Sequence, residues 1–309
     1  MKVTIVIPVY NKVDHLEMSV ESAVAQTYPF TEIIVVDDGS TDGSCELLRE
    51  LGKRHPQLII THQENQGLSA ARNAGLSRLS GEYVLFHDAD DKLEPDAIEN
   101  LVLTAQRYPS DIVGGVFRRH TPRKESVGKA FYVNEYQLNF RLNEVASRHY
   151  CLNFSCCNKL FKVEFLERNK LRFIRGLYMQ DIDFWLRCMF SSSSISQTRI
   201  VVSNYYQYPD SQSQSRTTAR FESLFKLHEN IKTIFHSEEL NNFSAAGSYA
   251  LIQGALRFFV NWKLEEWEDG GNSEDLDRIA EILGQIPDVH FVSYLKTNRG
   301  PTVPLLLLV

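Results

Sequence analysis

Across residues 3–102, four short apolar runs rich in β-branched residues alternate with helical patterns, and three of the four end in a polar cluster. Val3 to Val9 is a continuous run, as expected of a strand covered on both faces. Val13, Leu16, Val20 and Val24 then recur at helical spacing, and that helix ends near Gln26 to Pro29. Glu32 to Val36, Leu58 to Thr61 and Tyr83 to Phe86 read as three further strands. Leu47, Leu48 and Leu51 mark a helix between the second and third strands. Leu68 to Leu79 suits another, with Gly75 as its weak spot, and Pro95 opens one more at its tolerated first turn. This order predicts an α/β domain with a mostly parallel sheet and helices on both faces. In such a sheet, ligands sit outside the carboxyl ends of the strands.

The polar clusters fall at that edge. Tyr10-Asn11 ends the first strand, Asp37-Asp38 the second and Asp88 to Asp91 the fourth. Close carboxylates disfavour one another's ionisation unless a cation compensates. Mg²⁺ or Mn²⁺ does so while joining one or two carboxylates to substrate phosphates. Taken singly, each residue has a plainer use: Asp90 or Asp91 could cap the helix near Pro95, and Asp38 the helix after Ser44. Their coincidence at one edge favours a site. The turn Asp37 to Gly43 lacks the phosphate-loop pattern, and no G-x-G-x-x-G follows the first strand, which counts against a P-loop NTPase and a dinucleotide dehydrogenase. A carboxylate at Asp38 could instead accept a hydrogen bond from a base N–H.

Composition narrows the class further. The chain has 309 residues, 43% hydrophobic and 23% charged, which excludes a disordered tail, a collagen-like chain and a coiled-coil rod. A formal net charge of -6 argues against a general nucleic-acid binder, though not against a local basic cleft. The five cysteines are odd in number, two are adjacent (Cys156 and Cys157) and none forms C-x-x-C, so they read as free thiols in a reducing compartment. The N-terminus reads as a strand rather than a signal peptide. No run approaches the roughly 20 apolar residues that span a bilayer. The expectation is a cytoplasmic protein. Pro304 to Val309 is too short to cross a membrane and reads as a docked tail, with a membrane-surface contact as the lesser reading.

Four ordered blocks now carry a resemblance: Ile5 to Asn11 (I-V-I-P-V-Y-N), Val35 to Ser44 (V-V-D-D-G-S-T-D-G-S), Asn65-Gln66-Gly67 with Ala71 to Gly75 (A-R-N-A-G), and Gly81 to Asp91 (G-E-Y-V-L-F-H-D-A-D-D). Together they resemble the family 2 glycosyltransferases, which have the GT-A fold. The resemblance implies inverting transfer of a sugar from a nucleotide diphosphate donor, a UDP-sugar for preference, with Mn²⁺ or Mg²⁺ as cofactor. By position it implies that Pro8 and Tyr10 flank the base and Asp38 binds it. Asn11, Asn65 and Arg72 join the nucleotide site, Asp88 holds the ribose or metal side, and Asp90 ligates the cation. Lys12 reads as a surface residue. The implied acceptor is a glycan or lipid-linked hydroxyl in cell-surface polysaccharide synthesis, with no nucleic-acid partner.

The resemblance extends more weakly to about residue 190. Gln180 to Leu186 (Q-D-I-D-F-W-L) matches the family's segment for the general base, which puts Asp181 in that role and Asp183 as fallback; both also suit a helix cap. Gln180 replaces the family's usual Glu. Cys157 to Phe165 resembles the segment before the base, where Asn158 and Lys159 would shape the acceptor side and Cys157 stands in place of an aromatic. Asp210 to Thr218 reads equally as a linker or as a loop closing on the donor with Arg216 at the diphosphate. The domain expectation is 1–215 for the glycosyltransferase unit, split into a nucleotide-sugar half (1–120) and an acceptor half (121–215). An α-helical region, 216–309, would hold the acceptor, a peripheral membrane surface or a second protomer. A sugar nucleotidylyltransferase and a non-catalytic binding module of the same fold are the alternatives. The first would want a glycine-rich basic loop where Tyr10 to Asp14 has no glycine, and the second is supported only by Gln180.

Overall fold

The computed structural model describes residues 1–121, 124–127, 155–178, 180–208, 226 and 230. The chain divides into two compact units, Met1–Leu251 and Ile252–Val309, and the second lies wholly outside the described residues. So do the expected boundary at 215–216 and the loop with Arg216.

The N-terminal elements follow the pattern of the sequence: β1 (Val3–Val9), α1 (Val13–Val24), β2 (Thr31–Asp37), α2 (Ser44–Arg54), β3 (Leu58–His62), α3 (Leu68–Leu76) and β4 (Tyr83–Phe86). After them come β5 (Lys92–Leu93), α4 (Ala97–Arg107), β6 (Ile112–Thr121), β7 (Lys124–Val127), β8 (Lys159–Lys162), α5 (Val163–Arg168), α6 (Gln180–Ser191) and β9 (Ile195–Tyr206). Pro95 lies just ahead of α4 rather than inside it. The strands form one sheet in the order β3-β2-β1-β4-β8-β6-β9-β5, with β7 paired to β6. The pairs β3-β2, β2-β1 and β1-β4 are parallel, as expected. Beyond β4 the short β8 enters antiparallel to both its neighbours, and β6 and β9 then run parallel.

Two-sided coverage explains the continuous apolar strands. Val3, Ile5, Ile7 and Val9 of β1 join Leu16 and Val20 of α1, Leu48 and Leu51 of α2, and Ile98, Leu101 and Val102 of α4 in one core. On the opposite face, Ile34 and Val36 of β2 meet Ala71 of α3. The strand period of two sends alternate side chains to the two layers. Gly75, a weak position for a helix, lies where α3 approaches β1 so closely that a Cβ would overlap Val6 Cγ1. Phe86, Phe161, Phe173 and Phe184 form an aromatic cluster beside α6, with Phe173 stacked on Phe184 at 3.9 Å. Among the described residues no helix is long and apolar enough to cross a membrane.

Candidate active site

The site begins where β1 and β4 part. Their ladder stops at the Val6–Phe86 pair, followed by one bond from His87 N to Val6 O. Pro8 has no N–H with which to continue it, and the chain after Phe86 is free to turn away. The edge between the two strands therefore opens at a proline. Past Val9, Asn11 adopts φ 51° and binds the turn that follows β2: its Oδ1 accepts from Thr41 N at 2.8 Å, and its own N–H donates to Ser40 Oγ. Asp42 holds α1 and α2 together, accepting from Val13 N through Oδ2 and from Ser44 N through Oδ1. The plainer use considered for Asp38, at the start of α2, falls instead to Asp42, which meets the Ser44 N–H.

Asp38 is buried and turns toward the loop before α3. Its Oδ1 accepts from Gln63 Nε2 (2.7 Å) and Gln66 N (3.0 Å), and its Oδ2 from Gly67 N (2.8 Å). It braces the Asn65-Gln66-Gly67 turn from within. Gly39, at φ +75°, lets the two turns touch: a Cβ there would stand 2.9 Å from Asn65 N. Pro8 is buried, whereas Tyr10 and Asn65 are exposed at this rim. Of the residues expected at the nucleotide, Asn11 and Asp38 are thus engaged in shaping the loops, and Tyr10 and Asn65 face outward.

The acidic end is organised from below by a buried His87. Ser19 Oγ donates to Asp88 O and lies 3.0 Å from His87 Nε2, and burial lowers the imidazole pKa to about 4, so the ring is neutral. Asp91 is buried, and its Oδ1 accepts from Tyr206 N. It caps no helix. Burial, then the charges of Asp88 and Asp90, push its carboxyl well above the ordinary range. Asp90 pairs with Lys12 Nζ at 2.5 Å. Lys12, expected at the open surface, therefore belongs to the acidic cluster.

Arg72 is the hub of the other half. It is 2% exposed, Nη2 donates to Asp88 Oδ1 (2.6 Å), Nη1 donates to Gln180 Oε1 (2.8 Å), and its guanidinium lies over Phe173. Burial alone would raise the Asp88 carboxyl, but the charge and hydrogen bond of Arg72 hold it below its ordinary value. Cys157 lies against the same guanidinium, with Sγ 3.7 Å from Nη2. Asn73, the next residue, clamps the segment before α6 by exchanging two hydrogen bonds with the backbone of Phe173 (2.8 and 2.9 Å). The A-R-N block thus fixes Asp88 with its arginine and the segment leading into α6 with its asparagine.

Asp181 lies in the first turn of α6, one residue after Gln180. Burial raises its pKa; Arg72 opposes the rise and Asp88 adds to it. A carboxylate with a raised pKa is a stronger base, as proton abstraction needs. Asp183 differs: it is fully buried, and Oδ2 accepts from both Nε and Nη2 of Arg187. That pairing leaves Asp181 the better placed of the two for proton transfer. Nearby, Lys159 Nζ donates to Asn158 Oδ1 and lies 4.5 Å from the Trp185 ring, and burial lowers its pKa to about 7.

Three of these roles escape pattern reading: the Lys12–Asp90 pair, the Asn73 clamp and the Gln180–Arg72 bond. They join residues 78, 100 and 108 positions apart, and no local pattern records them. The acidic end suits a hard dication in its chemistry, since it is rich in oxygen, its crowding raises Asp91, and Asp90 already attracts an ammonium group. Among the described residues, Asp88, Asp90 and Asp91 do not close into a three-ligand cluster, so ligand phosphates would have to complete the shell.

Comparison with known proteins agrees with this geometry. Residues 4–169 match the model of glycosyl transferase family 2, more than half of the chain. The glycosyltransferase GlyA of Streptococcus pneumoniae is 35% identical over 188 residues, 58% of this chain; the match spans only 27% of that longer protein. The crystal structure of S. aureus TarS 1-349 with UDP-GlcNAc superposes with a TM-score of 0.75 at 20% identity, covering 93% of this chain and 82% of that one. The mannosyltransferase PcManGT of Pyrobaculum calidifontis, in complex with GDP-Man and Mn²⁺, gives a TM-score of 0.55 at 19% identity, covering 96% and 83%. With a matching family model and the GT-A architecture in hand, the chain belongs to glycosyl transferase family 2.

Proposed function

We propose that the protein transfers a sugar, with inversion, from a UDP-sugar to a hydroxyl of a glycan or lipid-linked acceptor in cell-surface polysaccharide synthesis. It would work in the cytoplasm, at the inner face of the membrane when the acceptor is a lipid. The observation that carries this reading is Arg72. One buried guanidinium joins Asp88, on the donor side, to Gln180, the neighbour of Asp181. Donor-binding and proton-accepting groups therefore share one rigid support.

In this reading Pro8, Tyr10 and Asn65 border the nucleotide base, and Asp38 and Asn11 hold the loops around it. Asp90, with Asp88, binds Mn²⁺ or Mg²⁺, which when present offsets the charge that grows on the departing diphosphate. Arg72 keeps Asp88 ionised and aimed. Lys12, paired with Asp90 here, would be available to a phosphate when a dication holds that carboxylate. Asp181 takes the proton of the acceptor hydroxyl as that oxygen bonds to the anomeric carbon and the bond to the diphosphate breaks. Support for a nucleotide-sugar donor comes from the UDP-GlcNAc and GDP-Man named for the two structural relatives, and support for the metal from the Mn²⁺ named for one of them.

Calorimetry with UDP in the presence and absence of Mn²⁺, followed by a screen of nucleotide-sugar hydrolysis, tests this. Asp90→Ala should lose metal-dependent uptake. Asp181→Asn should keep uptake and lower turnover by about 10²–10⁴-fold, the usual share of a general base. Manganese-independent binding in the wild type, or near-normal turnover in Asp181→Asn, would contradict the assignment.

A further inference from the structure

On the opposite side of the same strand end lies a second cluster, chemically unlike the first. Asp37, the last residue of β2, pairs in register with His62, the last residue of β3, and Cys45 stands in the first turn of α2. His62 Nδ1 is 3.0 Å from Asp37 Oδ2 and 3.9 Å from Cys45 Sγ, and one ligand atom from each residue falls within 4.8 Å of the others. Among the described residues this is the group of three that meets that spacing. We propose that Asp37, Cys45 and His62 form a binding site for Zn²⁺ or a similar borderline dication, separate from the oxygen-only site at Asp88 and Asp90.

The donor set decides the metal. Thiolate, imidazole and carboxylate together suit zinc or cobalt, whereas magnesium and manganese favour oxygen ligands. With Zn–S near 2.3 Å and Zn–N or Zn–O near 2.0–2.1 Å, ligand atoms of a tetrahedral site lie about 3.3–3.6 Å apart. The two distances above bracket that range. Three protein ligands leave a fourth position for solvent, which the exposed side of His62 admits: its side chain is 47% accessible, against 4% for Asp37. Asp37 is fixed as a ligand because its other oxygen, Oδ1, accepts from Ser40 N, which leaves Oδ2 to the site. Arg49 Nη2 also approaches Cys45 Sγ, at 3.2 Å. This guanidinium favours the thiolate and opposes a nearby dication. Arg49 is surface-exposed and already paired with Glu46, so it can withdraw toward that carboxylate. Asp37 and Asp38 are neighbours that turn to opposite sides. A metal bound to Asp37 would tie β2, β3 and α2 together directly behind the turn that Asp38 braces.

The test uses the whole protein stripped with a chelator and titrated with Co²⁺. The wild type should give a near-ultraviolet thiolate-to-cobalt charge-transfer band that saturates at one ion per chain and is displaced by Zn²⁺. Cys45→Ser should lose the band, and His62→Ala should weaken binding by at least 10–100-fold, the loss seen even for residues one step removed from a metal. Both residues lie at or near the surface, and an unchanged thermal transition in the stripped variants confirms that they fold. Asp90→Ala should retain the band, which separates this site from the donor metal. No band in the wild type, or a band that survives in Cys45→Ser, overturns the proposal; the latter would assign the signal to another thiol.

Discussion

Replacing Lys159 by Met gives a sharp physical test of the interior beside α6. Lys159 is 4% exposed, on the antiparallel strand β8, with Trp185 of α6 beside its ammonium. Burial brings its pKa from the ordinary 10.5 to about 7. A folded-state pKa below the unfolded one means that the unfolded chain binds more protons between those values, so stability rises with pH across that window. At about 1.4 kcal/mol per pH unit, the full penalty on the folded state is about 5 kcal/mol at low pH. About 4 kcal/mol of it remains at pH 7 and about 2 kcal/mol at pH 9. The Met variant has no such penalty, although it loses the hydrogen bonds to Asn158 Oδ1 and Ser155 O, a loss that lowers its stability at every pH. Urea unfolding of both proteins at pH 7, 8 and 9 should therefore show the variant's stability relative to wild type falling by about 2 kcal/mol over that range. A difference constant to within about 0.5 kcal/mol would mean that Lys159 keeps its ordinary pKa and is hydrated when folded.

Asp181→Asn should stabilise the fold near neutral pH as well as slow the reaction. A carboxyl whose folded pKa is raised contributes stability below its unfolded pKa and loses it as pH rises through the folded value, so at neutral pH the ionised Asp181 opposes folding. Thermal melts at pH 7.5 should place the variant above wild type, and the gain should vanish as pH falls below the ordinary carboxylate range. Gly39→Ala should cost about 1–3 kcal/mol, because φ is +75° and the new Cβ meets the backbone of Asn65. A lowered melting temperature, with weaker UDP binding as the Asp38 turn shifts, is the expected readout.

The elements that were readable in the sequence are those whose burial is uniform. β1, β4 and most of β2 are buried, so each shows as an unbroken apolar run, while the edge strand β3 is only partly buried and shows only as the short run Leu58 to Ile60. β6 was not readable. Gly114 and Gly115 interrupt it, the pairing with β9 shifts register between Gly114 and Val116, and a Cβ on Gly115 would overlap Val202. A strand with an irregular ladder and two glycines carries no period-two signal. β8 has only four residues and begins with a buried lysine. The site divides along the same line. Asp88, Asp90 and Arg72 occur in recognisable local blocks, whereas the reason for Asn73 or Lys12 exists only once distant segments meet.

Gln180 joins these two kinds of information. Read alone, it is a lost charge and the single argument for a binding module without catalysis. Beside Arg72 it has a defined use: its amide oxygen satisfies Nη1 without adding another anion to a pocket that already holds Asp88 and Asp181. A carboxylate there would compete with Asp88 for the same guanidinium and crowd Asp181 with a further negative charge. The neutral amide leaves the positive charge of Arg72 to be divided between Asp88 and Asp181. Hydrogen bonding at that position is preserved, and in the proposed reaction the charge balance for proton abstraction would be carried by Arg72, Asp88 and Asp181.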